Sequence, residues 1–121
     1  MRTKPFLLVQ KQASDLVPDG AYPARLVAVR QFGNAYGPRL GFEFELLDGD
    51  RAGDLVVASA APTPSPKGRL AELLRGLLGR EPSEHELADP AQTAGMRCRV
   101  LIRTESNKSG RTYSNVAAVF R

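Results

Sequence analysis

The chain is poor in the residue types that most catalytic and metal chemistry needs. Its 121 residues include one cysteine, Cys98, and one histidine, His85. A single thiol forms no internal disulfide, which fits a reducing compartment and so the cytoplasm. One thiol and one imidazole also fall short of a Cys/His zinc site. Nucleophilic catalysis wants Ser or Cys beside a base. Cys98 alternates with apolar residues and reads as a small core residue, and His85 lies in a polar stretch beside Glu84 and Glu86 and reads as solvated. Asp48, Asp50 and Asp54 are spaced carboxylates. They lack the distal glutamate of a calcium loop, and Asp-Gly-Asp is an ordinary turn. Neither a Walker A motif nor a dinucleotide-binding glycine pattern occurs. The expectation is a protein that is not an enzyme, with no catalytic residues, no metal and no cofactor.

Long apolar runs are missing too, so no membrane partner is expected. The only apolar stretch near the start, Phe6 to Val9, is too short for the core of a signal peptide, and no small-residue cleavage site follows it. Residues 1–16 read as a tail or an extra edge strand, followed by one domain over 17–121. Tryptophan is absent and aromatics make up only 7% of the chain, so groups able to stack on a ligand are few.

What is present is ordinary globular composition with an uneven charge. Apolar residues at 42% and charged residues at 25% suffice for a core in one domain of this length. The net charge is +4. Residues 1–95 carry 11 basic and 12 acidic side chains, whereas residues 96–121 carry Arg97, Arg99, Arg103, Lys108, Arg111 and Arg121 against Glu105 alone. Excess positive charge gathered at one end of the chain suggests a surface that meets a polyanion, the alternative being a solvated basic hairpin.

Hydrophobic periodicity orders the chain. Val17-Pro-Asp-Gly20 is a turn signal. Residues 21–32 are rich in β-formers but alternate imperfectly, as a long strand does when it bends and changes face. Leu40, Phe42, Phe44 and Leu46 alternate with Arg39, Gly41, Glu43 and Glu45, a clean half-buried strand. Residues 55–58 form a third, shorter strand. The prolines of residues 61–66 end the sheet pattern. Ser65 and Pro66 then fit an N-cap and first helical position. Leu70, Leu73, Leu74, Leu77 and Leu78 form one helical stripe, stopped by Gly79. Ser83 and Glu86 have capping-box spacing for a second short turn. Met96, Cys98, Val100 and Ile102 alternate with Arg97, Arg99, Leu101 and Arg103, residues 107–110 make a hairpin tip, and Tyr113 to Phe120 closes the chain as a fifth strand.

Three strands, a helix and a hairpin describe a mostly β fold, a five-stranded OB-type barrel with one α-helix between strands 3 and 4. The segments VPDGAYPARLVAVR, GPRLGFEFELLDGDRAG, SPKGRLAELLRGLLGR and RCRVLIRTESNKSGRTYSNV, over about residues 17–120, resemble small OB-fold proteins of phages and mobile elements, usually taken to be single-stranded-DNA-binding proteins. The resemblance implies a non-enzymatic DNA-binding protein of low sequence specificity, acting in phage or mobile-element replication or recombination. Bacterial replication proteins of this kind carry a long flexible tail that ends in acidic and apolar residues. This sequence stops at Phe120-Arg121, so recruitment of partners through such a tail is not expected.

OB barrels bind on the face of strands 2 and 3 and with the loops joining strands 1–2 and 4–5. Here those loops are 33–38, with Tyr36 leading into Arg39, and 106–111, with Lys108 and Arg111 leading into Tyr113. Single-strand binding combines cations along the backbone with aromatic faces for the bases. The expected nucleic-acid-binding set is therefore Tyr36, Arg39, Arg97, Arg99, Arg103, Lys108, Arg111 and Tyr113. The expected partner is single-stranded nucleic acid, DNA before RNA, with a homo-oligomer or a replication protein as a further partner. Glu43 and Glu45 stand against this reading unless they pair with arginines of a neighbouring strand. The alternative is an OB-fold protein-interaction subunit of a replication or recombination assembly, with a metabolite- or oligosaccharide-binding barrel third.

Overall fold

Every residue of the clean alternation over 40–46 takes the side its character demands, and the rest of the sheet is registered on it. The structure is a computed structural model that describes residues 16–35, 37–106 and 108–121. Its strands are β1 (Gly20–Asn34), β2 (Gly37–Leu46), β3 (Leu55–Ala60), β4 (Arg97–Ser106) and β5 (Thr112–Phe120). They form one antiparallel sheet in the order β3-β2-β1-β4-β5. The edge strands β3 and β5 come into contact with each other without ladder hydrogen bonds. The sheet is therefore barrel-like but is not closed by backbone pairing.

The imperfect alternation of β1 has a local cause. Leu26 pairs with Phe44 but Ala28 pairs with Glu43, so Val27 is an extra residue, a β-bulge that reverses the facing of everything after it. Before the bulge, Ala24 and Leu26 point inward and Arg25 outward. After it, Val29 opposes the buried Phe42, whereas Arg30 and Phe32 point outward. A second bulge, at Ala117, lies between the Leu101–Ala118 and Ile102–Val116 pairs.

Two α-helices connect β3 to β4, not one. α1 (Arg69–Leu78) buries Leu70, Leu73, Leu74, Leu77 and Leu78, the expected stripe, and Gly79 ends it in the left-handed conformation at φ 75°. Its start differs from the expectation. The N-cap is Gly68 with no side-chain cap, and the Ser65 Oγ instead accepts the Lys67 amide at 3.2 Å. Pro66-Lys67-Gly68 thus forms a separate turn ahead of the helix, closed by the Gly68 amide donating to the Ser65 carbonyl at 3.0 Å. The second, α2 (Glu84–Ala88), has a complete capping box. The Glu86 amide donates to the Ser83 Oγ at 3.1 Å, and the Ser83 amide donates to the Glu86 carboxylate at 2.8 Å.

The inner face of the sheet and α1 share one core. Leu40, Phe42, Phe44, Leu70, Leu73, Leu74, Leu77, Val100 and Ile102 all belong to it. Cys98 is buried there as well, and burial pushes its thiol up to about 11, which keeps it protonated at neutral pH. Among the described residues no helix is long and apolar enough to cross a membrane. The expectation for residues 1–15 lies outside the described residues.

Candidate nucleic-acid interface

The outer face of the sheet divides into two regions of different charge. On β1 and β2 the arginines have carboxylate partners. The Arg25 guanidinium donates to Glu45 at 2.8 Å and the Arg30 guanidinium to Glu43 at 2.9 Å, in both cases across the β1–β2 ladder. Glu43 and Glu45 therefore pair with a neighbouring strand, the arrangement that removes the objection raised by their sequence position. Arg39 is half-buried on β2, opposite Phe32, and donates to the Ser59 hydroxyl at 2.8 Å.

On β4 the arginines are not compensated. Arg97, Arg99 and Arg103 are exposed and occupy alternate positions, so all three project from the outer face. Among the described residues none of them has an ion-pair partner. Arg97 stands directly opposite Arg25 in the β1–β4 ladder. Two like charges in a directly opposed pair cost free energy unless an anion lies nearby, and Glu45 is the single carboxylate bonded in that row.

The aromatic residues of the region follow from the same register. Phe120 opposes Arg99 and is 38% exposed. Tyr113 opposes Glu105 and is 41% exposed, on the face that carries Arg103 and Asn115. The Asn115 amide donates to Glu105 at 3.1 Å, which holds the one carboxylate of this hairpin. Lys108 and Arg111 are exposed at the β4–β5 tip. The face from Arg97 to the tip thus alternates cations with Phe120, Leu101 and Tyr113 over roughly 30 Å of strand. The side chains are placed to contact phosphates and, at the aromatic positions, flat apolar groups.

The expected residues do not form a single patch. Arg97, Arg99, Arg103, Lys108, Arg111 and Tyr113 belong to the β4–β5 hairpin, whereas Arg39 lies at the far end of β1 from it. Tyr36 lies outside the described residues. Tyr22 is excluded as a free aromatic, since it packs against the core and its hydroxyl donates to the Pro18 carbonyl at 2.6 Å. Sequence reasoning missed two aromatic residues. Alternation places Phe32 and Phe120 in strands without assigning them a face, and they are 45% and 38% exposed. Their signal lies in the bulges, which reverse parity and are invisible to a period-two count.

The acidic turn takes structural roles. The Asp48 carboxylate accepts the Gly49 amide at 2.8 Å, and Asp54 pairs with Arg51 at 3.3 Å. Among the described residues, no group of three or more His, Cys, Asp or Glu side chains is arranged to hold a metal ion. No protein-family model matches the chain, and a search of curated proteins finds no relative.

Proposed function

We propose that this protein is a non-enzymatic OB-type barrel that binds single-stranded nucleic acid, DNA before RNA, with little sequence preference. The sheet that curls until β3 meets β5, and the helical segment between β3 and β4, support the OB reading. The observation that carries the function is the row of Arg97, Arg99 and Arg103, exposed on one face of β4 without carboxylate partners among the described residues. Arg25 and Arg30 of the neighbouring strand, by contrast, are each paired with a carboxylate. A row of cations beside exposed aromatics is what a sugar–phosphate backbone with splayed bases requires. Nothing in that row distinguishes one base edge from another, hence the low sequence preference. A role in phage or mobile-element replication or recombination, in the cytoplasm, is part of the same proposal.

The test is fluorescence anisotropy with labelled single-stranded DNA, duplex DNA and RNA of one length at about 50 mM salt. Binding in the order single-stranded DNA, then RNA, then duplex supports the reading. No measurable affinity for any single strand overturns it and leaves a protein-docking barrel as the better account of the outer face.

A further inference from the structure

One exposed aromatic lies apart from the arginine row, beside a glycine of the neighbouring strand. Phe32 projects from the outer face of β1 and is 45% exposed, the largest value among the big apolar side chains described. Its ring lies over Gly41 of β2. A Cβ built on Gly41 would stand 3.4 Å from Phe32 Cε1, 3.8 Å from Phe32 Cδ1 and 3.5 Å from Val57 Cγ1. Gly41 is not in the left-handed region, so its backbone does not demand glycine. These are ordinary contact distances, so the Phe32 ring and Val57 both border the open backbone at Gly41, with the ring still partly in solvent. Val57 is itself 36% exposed, so the three residues form a diagonal apolar strip across β1, β2 and β3. Of the charges that border it, Arg30 is paired with Glu43, whereas Arg39, directly opposite Phe32, donates to the neutral Ser59 hydroxyl and keeps its charge.

We propose that Phe32, seated on Gly41 beside Val57, is a second foothold for the same single strand, one that stacks on a base. The inference rests on the nucleic-acid reading above. Phe32 is seven residues beyond Arg25, one of them in the bulge, which sets it roughly 20 Å along β1 from the Arg25–Arg97 row. Binding is then bipartite. Phosphates sit on the β4 arginines and one base rests on the uncharged Phe32 ring several nucleotides away. Because the ring carries no charge, its own contribution does not depend on salt, whereas that of the arginines does.

The protein has no tryptophan, so Phe32→Trp carries a single indole reporter at the platform. Oligo(dT) long enough to cross both regions is titrated into it and followed by indole fluorescence and, with labelled strand, by anisotropy. The expected result is quenching that saturates with the anisotropy curve. Phe32→Ala is expected to lower affinity about 5- to 150-fold, the range for one stacked base, with an unchanged salt slope and an unchanged melting curve. Intact binding by anisotropy, with no quenching in Phe32→Trp and wild-type affinity in Phe32→Ala, overturns the platform and leaves the proposed function standing. Absence of binding by the wild-type protein overturns both.

Discussion

Gly76 of α1 lies directly against the carbonyl of Val119 in β5, so closely that a Cβ on Gly76 would overlap the Val119 oxygen. The helix crosses the strand at backbone contact distance, which is how its leucine stripe reaches the shared core. Gly76→Ala should raise helix propensity by up to about 1 kcal/mol. The clash is with backbone, which cannot rotate away, and overpacking of this kind costs ~1–3 kcal/mol. The expected net effect is a lower urea midpoint, with the nucleic-acid affinity unaltered at temperatures where the variant is folded.

Arg69 anchors the other end of the same contact. Its guanidinium donates to the Val116 carbonyl at 2.9 Å and to the Ala117 carbonyl at 3.4 Å. Those carbonyls flank the bulge at Ala117, where the ladder to β4 is interrupted. Arg69→Met keeps much of the stem but leaves half-buried acceptors without their donor, a loss of ~1–3 kcal/mol. Chemical denaturation measures it. The prediction also separates Arg69 from the β4 arginines, because Arg69→Met should leave the salt dependence of binding unchanged.

How much of this architecture can be read from the sequence depends on whether a residue's neighbours are near it in the chain. Leu40 to Leu46 and the leucine stripe of α1 declare their faces by period alone, and their core membership follows. The stop at Gly79 and the Ser83–Glu86 box are local chemistry and are equally legible. Ser65-Pro66 misleads because a cap needs the next residues to turn helical, and residues 66–68 form a separate turn first. The bulge at Val27 depends on cross-strand register, so the outward facing of Phe32 could not be read from alternation. Long-range pairing also decides that Glu45 holds Arg25 whereas Arg97, opposite the same arginine, has no carboxylate partner among the described residues. The basic end of the chain was visible as charge, but its division from the neutralised β1–β2 face was not.

The α2 segment should respond to acid before the sheet does. Arg80 grips Glu86 through two hydrogen bonds of 3.0 and 2.7 Å, and the Ser83 amide adds a third, which lowers the Glu86 carboxyl to about 2. A carboxylate whose folded value lies below its unfolded one stabilises the fold above the unfolded value, and that contribution is lost as pH falls toward the folded value. The window therefore runs from about 4.5 down to about 2. Backbone chemical shifts of Glu84–Ala88 should move toward coil across it. Glu86→Gln should show partial fraying already at neutral pH and a weaker acid response in this segment.

Salt separates the arginine row from every apolar contribution. If about 4–5 cations of the β4–β5 hairpin touch phosphates, log K should fall with log salt at a slope of roughly −3 to −3.5 for a single strand. Raising salt from about 50 to 200 mM then weakens binding on the order of 100-fold. Arg99→Ala should flatten the slope by ~0.7, equally for all base compositions, because the contact carries no base information. Glu45→Gln tests the boundary between the two regions. Glu45 bonds Arg25, and Arg25 stands opposite Arg97. Removing the carboxylate charge frees Arg25 to join the row, so affinity at low salt should rise and the slope should steepen by up to ~0.7. The same change leaves two uncompensated arginines facing each other, so the unliganded protein should melt earlier and be stabilised more than wild type by added single strand. A flat salt dependence in the wild-type protein, or an Arg99→Ala variant with an unchanged slope, would remove the β4 arginines from the interface.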